Sequence, residues 1–258
     1  VGADTFGDFL LAQFARDGID TRGLARLAGY ATGAAFVAYR HDGSRDFVFH
    51  IAQAAAGQLT PGMLDETLFE GLKCLHLMGS TLSIHEQALQ TGLRAVEMAR
   101  AAGAKISFDP NIRPQLLPAS EAKARFAPIL AAADVLIPTE EELLLLTDAP
   151  STSAAAAAWL KPGRVIVATR GAAGCTVYTP DALAGVPVPG LPAEEVDPTG
   201  AGDCFDAGFL VRWLEGAPAL EAARFANACG ALAVTRQGPA EGAMPRAQVE
   251  AFLRQHTP

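Results

Sequence analysis

The chain has 258 residues, half of them apolar, and a net charge of −8 from 20 basic and 28 acidic side chains. That length holds one large domain with a substantial core, or a domain with a small appendage, and the composition excludes the disordered and fibrous classes. The acidic balance argues against non-specific nucleic-acid binding, which needs a basic face to displace counterions from phosphates. It leaves room for a nucleotide held by a few local donors.

Cys74, Cys175, Cys204 and Cys229 are scattered, with neither a C-x-x-C pair nor a His-rich cluster nearby. Reduced core thiols in a cytoplasmic protein are therefore expected, rather than a disulfide framework or a zinc site. No apolar run reaches the roughly 18 residues needed to cross a bilayer, and no signal peptide is visible, so neither a membrane nor a nucleic acid is an expected partner.

Phe6, Phe9, Leu10 and Phe14 recur at helical spacing behind Asp4, an N-cap candidate, and Gly18 closes that helix. Strand candidates at residues 36–40 and 46–50 flank His41-Asp42-Gly43-Ser44, and Asp-Gly between β-rich runs is a hairpin signal. From Pro61 onward strands alternate with helices. The strands are expected at 74–78, 105–108, 135–137, 165–169 and 176–178, and the helices at 84–102, 121–132 and 154–160. Such alternation predicts an α/β fold with a mostly parallel sheet covered by helices on both faces. A Pro/Gly-rich connector at 185–192 then leads into helices after Gly200 and around 220–233. The hairpin does not fit inside such a sheet and is expected to project as a small β lid.

The strongest chemical signal is Val196-Asp197-Pro198-Thr199-Gly200-Ala201-Gly202-Asp203, which opens an apolar helical run. Small residues at a helix N-terminus leave amide groups free for phosphate oxygens that gain charge during transfer. Asp203, in the first turn, could take the proton of a substrate hydroxyl beside the incoming phosphoryl group. Gly79, Asp109, Thr139 and Gly171 each follow a strand candidate closely, and ligands of open α/β sheets bind outside the carboxyl ends of strands.

The octapeptide resembles the C-terminal signature of the ribokinase-like (PfkB) carbohydrate kinases, and other segments follow in that family's order. Asp109-Pro110-Asn111-Ile112-Arg113 resembles its D-x-N-x-R loop, and Thr139-Glu140-Glu141-Glu142 its N-x-x-E motif, with Thr in place of the usual Asn. Thr169-Arg170-Gly171-Ala172-Ala173-Gly174 resembles its nucleotide turn, and Asn227 through Gly238 the region near adenine. The resemblance implies a three-layer α/β/α sandwich spanning 1–258, with residues 33–52 contributing to the lid. It also implies that a first strand, a substrate-binding Asp and a Gly-Gly loop precede Val1.

The same resemblance implies ATP and Mg²⁺, and K⁺ in some members. Asp203 is then the catalytic base, with the amides of Gly200, Ala201 and Gly202 as the anion hole. Glu142 organises Mg²⁺ through water; an acidic first turn complementing a helix dipole is the other reading of residues 140–142. Thr169, Gly171, Gly174, Asn227 and Gly230 fall to the nucleotide, and Asp197 and Thr199 to K⁺. Asp109, Asn111, Arg113 and Phe49 fall to the sugar, although Arg113 is equally readable as a solvated loop cation. The stretch 32–59 resembles the 2-keto-3-deoxygluconate kinase and fructokinase branches, so the implied substrate is that sugar acid or a ketohexose, and a homodimer through the lid is implied as well. A non-catalytic sugar or nucleotide sensor of the same fold is the alternative, though it would need neither Asp203 nor Glu142. A dinucleotide enzyme would require a G-x-G-x-x-G turn that the chain does not carry.

Overall fold

The computed structural model describes residues 1–40 and 45–256, so the expected turn His41–Ser44 lies outside the described residues. The chain divides into two compact units, Val1–Ala132 and Ala133–Pro258.

In the first unit, helix α1 (Thr5–Arg16) begins at Asp4, whose carboxylate accepts from the Gly7 amide at 2.8 Å. The same carboxylate accepts from the Thr32 amide at 2.6 Å and the Thr32 hydroxyl at 2.7 Å, tying the helix start to the segment that leads into the first strand. Those bonds, the Thr32 hydroxyl foremost, hold the Asp4 carboxyl down at a pKa of about 2. Strands β1 (Ala34–Tyr39) and β2 (Arg45–His50) pair antiparallel, with Phe36 opposite Val48 and Ala35 opposite Phe49. They form a separate two-stranded sheet.

Strand β3 (Cys74–Met78), the short helix α2 (Gly79–Leu82), helix α3 (Glu86–Ala101), strand β4 (Lys105–Asp109) and helix α4 (Ala119–Ala132) complete this unit. β3 and β4 run parallel, Met78 opposite Asp109. In β4, Ile106 and Phe108 are fully buried, and Phe108 meets Phe126 of α4 edge to face at 5.4 Å. His85 caps α3 by accepting from the Ala88 amide, and its other ring nitrogen meets the Gly57 carbonyl. His76 faces Ser107 at 3.1 Å across the two strands, and burial lowers its pKa.

The second unit contains β5 (Val135–Leu136), α5 (Glu140–Thr147), α6 (Thr152–Trp159), β6 (Val165–Thr169), β7 (Gly174–Thr179), β8 (Ala182–Pro189), α7 (Ala201–Leu214), α8 (Ala219–Ala233) and α9 (Arg246–His256). β5 and β6 are parallel; β6–β7 and β7–β8 are antiparallel hairpins. Val135, Leu136, Ile166 and Val167 are buried on both faces, which explains their unbroken apolar runs. The segment expected as a connector at 185–192 is mostly strand β8. Pro187 and Pro189 lie opposite Thr176 and Gly174 in its register, and a strand tolerates proline where no ladder donor is needed. Asn227 of α8 anchors that strand, donating from its buried amide to the Val188 and Pro189 carbonyls at 3.2 and 2.9 Å. Among the described residues, no helix is long and apolar enough to cross a membrane.

Candidate active site

In the first unit, the loops after β3 and β4 meet. A β-carbon on Gly79 would stand 1.9 Å from the Pro110 carbonyl oxygen, so only glycine permits this approach. Asp109, buried at the end of β4, accepts from the Asn111 amide at 2.9 Å and the Asn111 side chain at 3.0 Å. Asn111 takes a φ of +36°, a backbone region where a short polar side chain that bonds locally is tolerated. Arg113 is half-buried and donates to the Ile112 carbonyl at 3.2 Å. Phe49 lies in β2, stacked parallel on Phe47 with ring centres 5.8 Å apart.

In the second unit, the loops after β5 and β6 are joined. Thr139 and Thr169 form a parallel bridge, and the Thr169 amide donates to the Pro138 carbonyl at 2.9 Å. Thr139 caps α5 in a reciprocal box: its hydroxyl accepts from the Glu142 amide at 3.1 Å, and Glu142 Oε2 accepts from the Thr139 amide at 2.9 Å. Threonine thus does the capping work at the position where the sequence motif has asparagine. Thr139, Glu140, Glu141, Thr169, Arg170 and Gly171 line a cleft of about 360 Å³. Gly171 opens the 3₁₀ turn that reverses into β7 at Gly174.

The octapeptide ends as the N-terminus of α7. Gly200 is its N-cap residue, with φ +80°, and no side chain caps the helix there. A β-carbon on Gly202 would meet nothing within 4 Å, so the first turn opens onto free space. Asp203 is exposed in that turn. Its charge leaves a trace on Cys204, whose thiol pKa is raised first by burial and then by Asp203. Burial also pushes Cys175 and Cys229 up to about 12, which keeps both thiols protonated and weakly reactive. Asp197 is buried; its two oxygens accept from the Thr199 and Gly238 amides, each at 3.0 Å. Its carboxylate therefore closes the signature loop against residue 238. Gly230 of α8 packs toward Ala201, where an added β-carbon would lie 3.4 Å from the Ala201 carbonyl oxygen.

The sequence profile of the pfkB family carbohydrate kinases matches residues 1–247. The chain belongs to that family. It is a PfkB carbohydrate kinase with the ribokinase-like α/β fold. It is 36% identical over 248 residues to Fructokinase-1 of Oryza sativa, covering 92% of this chain and 76% of the relative. A candidate ribokinase II from Escherichia coli, solved with ATP and Mg²⁺, superposes with a TM-score of 0.92 at 40% identity, over 99% of this chain and 82% of that one. The fructokinase of Vibrio cholerae, solved with fructose, ADP and calcium, gives 0.85 at 30% identity, over 98% and 83%.

Sequence reasoning did not single out the Arg170–Glu140 ion pair, with Arg170 Nε 3.7 Å from Glu140 Oε1. Nor did it find the seating of Pro239 against Gly200. Both join loops distant in sequence, and neither has a local spacing to betray it.

Proposed function

We propose that this kinase phosphorylates a hydroxyl of a neutral ketohexose, fructose first among them, with Mg-ATP as the donor. The observation that carries the choice of sugar is the lid's second strand. Phe47 and Phe49 stack on one face, and past Arg45 at its first position the strand holds no arginine to pair bidentately with a sugar acid's carboxylate. Arg40, at the end of the first lid strand, is already engaged by Asp46. The fructokinase relatives support the same choice.

Asp203 takes the proton of the sugar hydroxyl as its oxygen attacks the γ-phosphorus and the bond from that phosphorus to the bridging oxygen breaks. The amides of Gly200, Ala201 and Gly202, at the positive end of α7, face the phosphoryl oxygens as they gain charge. The open space at Gly202 fits a phosphate approaching the backbone. Thr169, Gly171, Gly174 and Gly230 shape the nucleotide's seat, and Asn227 supports it by anchoring β8. Asp109, Asn111, Arg113 and Phe49 are the proposed sugar contacts.

Among the described residues, no three His, Cys, Asp or Glu side chains converge on a metal. A single carboxylate with water between suits Mg²⁺, which sheds its waters reluctantly, and Glu142 is that carboxylate here. Bound there with the nucleotide, Mg²⁺ would neutralise charge on the phosphate oxygens. Asp197 and Thr199 are the candidates to shape a K⁺ loop, Asp197 acting through its two backbone bonds. A homodimer through the lid belongs to the same reading: Phe36 and Val48 oppose each other and are 61% and 53% exposed.

The test is ADP release from Mg-ATP over fructose, tagatose, 2-keto-3-deoxygluconate, ribose and adenosine. Fructose should exceed the sugar acid in kcat/KM by about tenfold or more, the discrimination expected from an unpaired carboxylate. A preference for 2-keto-3-deoxygluconate would overturn the ketohexose assignment. Nucleotide binding with no turnover on any of the five would point to a sugar outside this panel.

A further inference from the structure

Arg170 stands inside the nucleotide turn at a position where the motif demands no particular residue. Its amide donates to the Gly174 carbonyl at 2.7 Å, and its carbonyl accepts from the Ala173 amide at 3.1 Å, so it is the pivot of the turn. Its guanidinium reaches back over the turn toward the Ala173 and Cys175 carbonyls at 3.5 and 3.4 Å. The Nε is buried and makes no hydrogen bond among the described residues, and it lies 3.7 Å from Glu140 Oε1. Glu140 is the first residue of α5, beside the Thr139–Glu142 capping box, and both charges line the cleft of about 360 Å³. The two side chains are 31% and 32% exposed.

At that exposure the attraction is diluted by water, and the gap of 3.7 Å is too long for a hydrogen bond. A molecule filling the cleft would exclude that water and lower the local dielectric. The pair would then strengthen, and its spare Nε–H would find its acceptor. By linkage, whatever tightens the pair on binding also raises the affinity of the ligand that tightened it. We propose that Arg170 and Glu140 are a positioning pair that closes when the cleft fills. It locks the turn 171–174 to the first turn of α5 and so sets the kinase's affinity for its nucleotide. The inference rests on the cleft being the nucleotide's seat, as proposed above.

The experiment compares Glu140→Gln, Arg170→Gln and the double variant in steady-state kinetics, in direct titration with ATP and ADP in the presence of Mg²⁺, and in thermal melts. Each single variant should raise KM for ATP by about three- to tenfold with kcat within about twofold, the size expected for losing one charge-assisted bond. The double variant should be no worse than either single one, because both remove the same interaction. Three results would overturn the inference. Additive losses would mean two independent contacts. A loss in Arg170→Gln alone, with Glu140→Gln unchanged or tighter, would mean that Arg170 binds phosphate directly. A lower melting temperature with KM unmoved would mean a brace for folding only. Failure of the wild-type protein to bind ATP or ADP would instead sink the nucleotide assignment of the cleft.

Discussion

Gly200 lies so close to Pro239 that a β-carbon added to it would stand 1.9 Å from the Pro239 carbonyl oxygen, while two residues later Gly202 faces open space. The two glycines of the signature therefore answer to different demands. Gly200 is required by the fold, through its φ of +80° and that carbonyl; Gly202 is required by nothing in the protein itself. Gly200→Ala should cost about 2–4 kcal/mol of stability. Gly202→Val should melt within a few degrees of the parent, yet lose turnover by about a hundredfold, because its side chain fills the approach to the helix amides. Thermal melts beside kinetics separate the two, and wild-type rates in Gly202→Val would remove that loop from phosphate binding.

Asp203→Asn keeps the shape of the first turn of α7 and removes the proposed base. Turnover should fall by about a thousandfold or more, with affinity for ATP held within a few-fold. Titration with ATP beside single-turnover phosphorylation checks this. Substantial residual turnover would move the base elsewhere.

Glu142 and Thr139 share one capping box, so a cap role and a metal role can be separated. Glu142→Gln retains an oxygen able to accept from the Thr139 amide, and should preserve stability while raising the Mg²⁺ concentration needed for half-maximal rate by about tenfold. Thr139→Val removes the hydroxyl cap and should cost about 1 kcal/mol with the Mg²⁺ requirement little changed. Equal Mg²⁺ dependence in the parent and Glu142→Gln would leave Glu142 as a helix cap only.

Acid should loosen the start of α1. The Asp4 carboxyl titrates at about 2 in the folded chain, below its ordinary 3.8. Its contribution is thus complete above the higher value and fades as pH falls through the lower one. Urea melts between pH 5 and pH 2 should show a decline that is shallower in Asp4→Asn. A parallel decline in the two proteins would mean that the Thr32 bonds do not favour the ionised form.

The strands buried on both faces were legible in the sequence because unbroken apolar runs such as residues 165–168 have few other readings. β8 was not, since Gly185, Pro187 and Pro189 interrupt it and most of its residues are partly or fully exposed. The elements of the candidate site were legible wherever a motif is local, as in the run from Asp197 to Asp203. The Arg170–Glu140 pair was hidden, because its members belong to two loops that become neighbours only through the Thr139–Thr169 bridge.

The closed ring of bonds between Asp109 and Asn111 has a kinetic corollary. With a carboxylate bonded to the amide and side chain two residues on, the loop's unusual backbone turn is braced by the chain's own groups. On the proposed assignment of this loop to the sugar, the arriving molecule would meet a finished surface rather than a chain that must first find its shape. Its capture should then follow a single exponential whose rate climbs in proportion to sugar concentration, without the plateau that a slow rearrangement imposes.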